Sequence, residues 1–187
     1  MILCDKDIKK ILGKELLIEP FNNEQVSSSS LDLRLGHEFR IFKHTGRTHI
    51  DPRDKTPSDE YTELHHIEED KPFTIHPGEF VLATTHEKVN MPSNIVGSID
   101  GRSSLGRLGI IIQTAAMVDA GFKGHITLEL ANIGKMPVNI YPLMRICRMT
   151  LHTLSDTCEK PYNGKYYNQG AADGSKIEKD SEFTSLT

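Results

Sequence analysis

From Phe73 to Leu151 short apolar runs follow one another, each closed by a glycine, proline or asparagine turn signal. Phe73–His76, Phe80–Thr84, Ile95–Ile99, Gly109–Ile112, His125–Asn132, Pro137–Ile140 and Arg145–Leu151 are the runs, with a bend at Val89–Asn94 and a two-glycine turn at Val118–Gly124. Such punctuation over about 80 residues, with little helix between, predicts a mainly β core of barrel or jelly-roll type. Phe73–His76 and Phe80–Thr84 read as strand, turn, strand across Pro77-Gly78-Glu79. Upstream, Ile8, Ile11, Leu12 and Leu16 lie on one helical face, which predicts a short helix over Asp5–Leu17 with Asp5 as its cap. Pro20 ends it. Leu31–Leu35 alternates strictly and predicts a half-buried strand ended by Gly36, with Glu38–Phe42 as its pairing partner. Residues His44–Lys71 form a polar excursion with at most short strands.

The length of 187 residues suits one domain spanning 1–187, its tail starting near Lys160. No apolar run approaches the roughly 20 residues that span a bilayer, and Met1–Asp7 lacks the apolar stretch of a signal peptide. A cytoplasmic protein without a membrane partner is therefore expected. A net charge of -4 argues against a broad nucleic-acid surface. An anionic small molecule would have to be met by a local cluster. Cys4, Cys147 and Cys158 show no C-x-x-C spacing, so they read as reduced thiols. His44, His65 and His66 lack companion metal-ligand spacing and read as surface histidines.

Chemistry concentrates between residues 98 and 130. Arg102-Ser103-Ser104-Leu105-Gly106-Arg107 offers two guanidiniums that grip phosphate and two hydroxyl donors. A short helix over Ser103–Leu108 would add backbone N–H groups at its start. Taken alone, the cluster fits a solvated loop as well as an anion site. Neither common glycine-rich nucleotide fingerprint is present. In His125–Leu130, alternation sets Ile126, Leu128 and Leu130 on one face and Thr127 and Glu129 on the other. Pattern alone fits a solvated second face. If that face lines a pocket instead, burial would raise the Glu129 pKa and suit it to proton transfer. Asp119, in a turn, suits either a bond to its own backbone or a sugar hydroxyl.

Three segments here resemble the dCTP deaminases, relatives of the trimeric dUTPases: Asp100-Gly101-Arg102-Ser103-Ser104-Leu105-Gly106-Arg107-Leu108-Gly109, Thr114-Ala115 through Val118-Asp119-Ala120-Gly121-Phe122, and Ile126-Thr127-Leu128-Glu129. Met1–Ile8 and Ser29–Gly36 are similar to the family's opening, and Pro161–Gly170 to its C-terminal lid. The resemblance implies a dUTPase-like distorted β-barrel, assembled as a homotrimer with sites between subunits. It implies that Glu129 takes a proton from the water attacking C4 of cytosine. Ser103 and the carbonyl of Ala115 would orient that water, and Arg107 would set the field beside Glu129. Arg102, Ser103, Ser104, Leu105, Gly106 and Arg107 would bind triphosphate and base, together with Thr127, Leu128 and Glu129. Asp119 would meet the 3′-hydroxyl, and Tyr162, Lys165 and Gln169 would close the lid. Mg²⁺ would accompany the triphosphate, and dTTP would act as an allosteric inhibitor.

Most nucleobase deaminases instead use zinc through H-x-E…P-C-x-x-C. His66-Ile67-Glu68 matches the first half, but no C-x-x-C follows, so a zinc-free reaction is expected. The expected product is dUTP. The alternative is a bifunctional enzyme forming dUMP and diphosphate, towards which Asp119-Ala120-Gly121-Phe122 leans, and a further alternative is a non-catalytic nucleotide-binding β-module. Gln113, Ala116-Met117 and Arg148 depart from the family's usual residues.

Overall fold

The computed structural model describes residues 1–114 and 117–181. Helix α1 (Asp5–Ile11) leads into β1 (Leu17–Glu19) and β2 (Leu31–Phe42). There follow β3 (Thr62–His66), β4 (Phe73–Ile75), β5 (Phe80–Asn90) and β6 (Ile95–Gly101). Helix α2 (Ser103–Gly106) precedes β7 (Ile110–Gln113), β8 (Met117–Val118), β9 (Lys123–Asn132), β10 (Val138–Ile140) and β11 (Arg145–Thr153). One mainly antiparallel sheet runs β7-β9-β5-β2-β11-β6-β8, with β1 added to β5 and β3 to β2. The mainly β class expected from the turn spacing is the class found. Among the described residues no helix is long and apolar enough to cross a membrane.

The core lies on the face where the alternating apolar residues meet. Leu31, Leu33, Leu35 and Phe39 of β2, Leu128 and Leu130 of β9, and Met149 and Leu151 of β11 are fully buried. Each such side chain contributes roughly 1.5–3 kcal/mol of hydrophobic stabilisation. Phe39 stacks on Phe73 with centroids 4.3 Å apart.

Three expectations need correction. Helix α1 stops at Ile11 rather than Leu17 because Gly13 takes φ +73°, and the chain turns there so that Leu16 reaches the core from outside the helix. The Asp5 side chain does not cap it: Cys4 is the N-cap, without a side-chain bond. Strand β2 runs unbroken through Gly36, because a Cβ there would stand 2.6 Å from Thr84 Oγ1. That glycine serves close strand approach at a register shift, not a turn. Finally, Glu38–Phe42 is not a separate strand paired with Leu31–Leu35: both belong to β2. The strand, turn, strand over 73–84 is present as β4 and β5, and β4 pairs with β10, Ile75 opposite Val138. The buried Asn132 amide pins this arrangement by donating to the carbonyls of Ile75 and Met136, each at 2.8 Å.

Candidate active site

Strand β9 alternates between buried and half-buried residues along its whole length. Leu128 is in the core, so its side chain is not at a ligand surface as expected; Thr127 and Glu129 face the other way. That other face is not open solvent. It forms a wall of a cavity of about 950 Å³. Glu129 sits in register between Leu82 of β5 and Gln113 of β7. Asp119, Thr127, Glu129, Tyr162, Lys165 and Gln169 all line this cavity, so the chain brings six residues from three separate stretches together.

Two glycines of the Asp119–Gly124 turn bring the C-terminal segment against β9. Gly121 (φ +86°) leaves room for Pro161, whose Cβ would lie 2.5 Å from an added Cβ. Gly124 (φ +133°) does the same for the Gln169 backbone at 2.7 Å. The two chain segments then bond directly: Asn168 N donates to Lys123 O at 2.8 Å, and His125 N to Gln169 O at 3.0 Å. The Gln169 side chain, 8% exposed, donates to His125 O at 2.6 Å and Thr127 Oγ1 at 3.0 Å. Tyr162 packs beside Phe122, and its hydroxyl accepts from Tyr166 N. Lys165 is bidentate on Asp180 at 2.6 and 2.7 Å. Burial works against its charge, but the Asp180 hydrogen bonds and the fields of Tyr166, Asp180 and Glu178 outweigh it and raise the Lys165 pKa.

The polar excursion supplies the opposite wall through Ile50, Pro52, Tyr61 and Thr62. Burial, then Glu178 and Tyr166, push the Tyr61 hydroxyl pKa up. Phe42 and Phe80, 5.8 Å apart, make that end apolar. Ile50, Pro52, Tyr61 and Thr62 lie in the polar excursion and carry no periodic signal. Thr114 also lines the cavity, and its buried Oγ1 has no partner among the described residues.

The Arg102–Arg107 group lies elsewhere. None of its residues lines the cavity. Ser103 and Ser104 start α2, which packs against β7. Ser103, Ser104, Gly106 and Arg107 are exposed, Arg102 is half-buried, and only Leu105 reaches the core. Every other arginine of the chain is ion-paired: Arg34, Arg40, Arg47, Arg53, Arg145 and Arg148. Among the described residues the Arg102 side chain makes one hydrogen bond, to the Arg145 carbonyl at 3.3 Å. Ala115 lies outside the described residues.

Residues 2–154 match the dCTP deaminase-like family. The chain belongs to that family. Relatives named dCTP deaminase, dUMP-forming, come from Methanosphaera stadtmanae (50% identical, 97% of this chain and 96% of the relative) and Dictyoglomus turgidum (51%, 95% of each). A relative from Haloarcula marismortui (43%, 98% of each) is named dCTP deaminase. The solved 2′-deoxycytidine 5′-triphosphate deaminase of Agrobacterium tumefaciens aligns with 80% of this chain and 46% of its own, at TM-score 0.62 and 23% identity, and shares the fold. The cavity is thus lined from both halves of the matched region and from the segment beyond it.

Proposed function

We propose that this protein deaminates dCTP and carries it on to dUMP: dCTP + 2 H₂O → dUMP + NH₃ + diphosphate. The observation that carries the reading is Glu129, a carboxylate on a strand face that opens into a large cavity with Asp119 and the C-terminal segment around it. The names of the Methanosphaera stadtmanae and Dictyoglomus turgidum relatives favour dUMP over dUTP, the product first expected.

In this reading the pyrimidine lies against Glu129, which accepts a proton as water adds to C4. Glu129 passes that proton to N3, then takes the hydroxyl proton of the tetrahedral adduct and gives it to the amine; the C4–N bond breaks, ammonia leaves and C4 becomes a carbonyl. Asp119 accepts the 3′-hydroxyl of the sugar. Lys165 exchanges Asp180 for a phosphate oxygen, and Gln169 holds the lid against Thr127. A second water then cleaves between the α and β phosphorus atoms. Mg²⁺ enters with its substrate, on triphosphate oxygens. dTTP shares that triphosphate and sugar and is proposed to bind here as an inhibitor. Because α2 does not reach the cavity of its own chain, Ser103 and Arg107 act at the cavity of a neighbouring copy, which requires an oligomer. The trimer is the proposed assembly.

The test is incubation with dCTP and Mg²⁺ while ammonia, dUTP, dUMP and diphosphate are followed. Ammonia with equimolar dUMP and diphosphate is expected. Accumulated dUTP would reduce the enzyme to a plain deaminase, and no ammonia would overturn the reading.

A further inference from the structure

Arg40 stands in the same cross-strand row as Glu129. Arg40 pairs with Leu82, Leu82 with Glu129, and Glu129 with Gln113. Two strand spacings put Arg40 and Glu129 about 10 Å apart at the backbone. Arg40 is only 9% exposed, a rare state for an arginine without a dedicated role. It lies under the chain that roofs the cavity. Its Nε donates to the Ala172 carbonyl at 2.7 Å, and its Nη1 to Thr62 Oγ1 at 2.9 Å and to the Asp59 carboxylate. These partners belong to two segments with no regular pairing to each other, the polar excursion and the C-terminal tail. Ala172 is fully buried and donates its N–H to Glu38 at 3.3 Å. Gly174 presses on Ser58 so closely that a Cβ would collide with the serine side chain. Further on, the turn Ile177–Lys179 packs against Pro52–Asp54.

We propose that Arg40 is a positioning residue, a latch that holds residues 172–180 and the 52–62 excursion together over the cavity and so sets the lid above Glu129. The planar guanidinium suits this because it bonds three acceptors in fixed directions. Its partner Asp59 has a side chain 81% exposed, so the latch is fastened at the rim of the roof, where opening needs little rearrangement. The inference rests on the proposed dCTP chemistry for its kinetic consequence, but not for its structural one.

Arg40→Met removes the fork and keeps the stem. With the latch gone, the closed lid is a smaller fraction of the ensemble, and apparent affinity falls by that fraction. One or more charge-assisted hydrogen bonds correspond to about a tenfold change or more. The expected result is a KM for dCTP raised about tenfold, with kcat within about threefold of the parent. Ligand-free Arg40→Met should be cut by trypsin after Lys176 and Lys179 at least about tenfold faster, since cleavage follows the open population. Arg40→Lys, which retains the charge and one bond, should fall between. If Arg40→Met does not fold, Gly174→Val, whose Cβ collides with Ser58 and lies at ordinary contact distance, 3.4 Å, from Arg40 Cδ, opens the roof while keeping the guanidinium, and should show the same KM rise and cleavage. Unchanged KM and unchanged cleavage in the folded variants would overturn the latch. Absence of dCTP turnover in the parent enzyme would instead remove the proposed activity, while the tryptic rates still decide the latch.

Discussion

Glu87 is fully buried, and its carboxylate is held by donors alone. Oε1 accepts from Gln25 Nε2 at 2.9 Å and Arg34 Nε at 2.7 Å, and Oε2 from Arg34 N at 2.8 Å. Glu87→Gln keeps the shape and replaces one acceptor by a donor. At best the amide oxygen retains two bonds, both without the carboxylate's charge, and its NH₂ group faces the Arg34 N–H. Breaking a buried pair costs about 3–5 kcal/mol. The Arg34 side chain is 27% exposed and regains some hydration, so about 3 kcal/mol is expected. At about 2–4 °C per kcal/mol for a chain of this size, the melting midpoint should fall by roughly 6–12 °C. Urea unfolding at fixed protein concentration gives the free energy directly. A double-mutant cycle with Arg34→Met isolates the pair, and the double variant should be at least about 1 kcal/mol more stable than the sum of the singles predicts. A midpoint within about 2 °C of the parent would show that water or a rearranged side chain satisfies the site, and the reasoning would fail. The consequence reaches the cavity. Glu87 lies in the irregular stretch of β5 whose Thr85 hydroxyl accepts from Ile126 N at 2.9 Å, beside Thr127 and Glu129.

Glu129→Gln should lower kcat by about 10²–10⁴ while leaving dCTP binding by equilibrium dialysis intact; loss of binding with activity would make Glu129 a structural residue. Equal amounts of inactive Glu129→Gln and Arg107→Ala chains, unfolded and refolded together, should regain activity at roughly a quarter of the sites, the share in which an intact Glu129 meets an intact Arg107 across an interface; no recovery would place both residues in one subunit's site. The His86 pKa is lowered by burial first and then by the charge of Arg34. Its contribution to stability is therefore complete above the unfolded value of about 6.5 and is lost as pH falls through the lower folded value. The fall in urea midpoint from pH 7.5 to 5.5 should be smaller in His86→Asn, and an equal fall would refute the assignment.

Local pattern reached the strands because each carries its own signal. The alternation in His125–Leu130 separated Leu128 from Glu129 correctly, for the period of two is a property of the strand itself. It did not tell solvent from cavity on the second face, since the roof comes from residues 44–62 and 160–181, far away in sequence. Gly36 illustrates the same limit. A glycine after an alternating run reads as a terminator, but the atom that demands it, Thr84 Oγ1, belongs to another strand. Charged residues were read least well. Glu87 sits in Thr85-His86-Glu87-Lys88, a stretch with no apolar pattern, and becomes a buried anion only because Arg34 and Gln25 converge on it. Asp32 likewise is buried against Arg145 and Arg148, whose shared reach depends on a register shift between Arg145 and Cys147.

The distribution of paired and unpaired charge explains why one chain cannot complete the proposed site. The cavity presents Asp119, Glu129, Asp173 and Asp180 against two lysines, Lys179 and Lys165, the second committed to Asp180. A nucleoside triphosphate brings several more negative charges, and repulsion in a partly enclosed space of low dielectric is strong. The chain holds cations suited to this load at the two ends of α2, Arg102 before it and Arg107 after it. Arg102 and Arg107 are the two arginines without an ion pair among the described residues, and Arg107 is exposed with two serine hydroxyls nearby in sequence. In a chain of net charge -4 whose remaining arginines all find carboxylates, these two are the guanidiniums that the proposed reading assigns to the incoming anion. The cavity has the base and lacks the free guanidiniums, whereas α2 has the guanidiniums and lacks the cavity. Each is the complement of the other, and a symmetric assembly that sets α2 of one copy at the mouth of the next satisfies both at every interface.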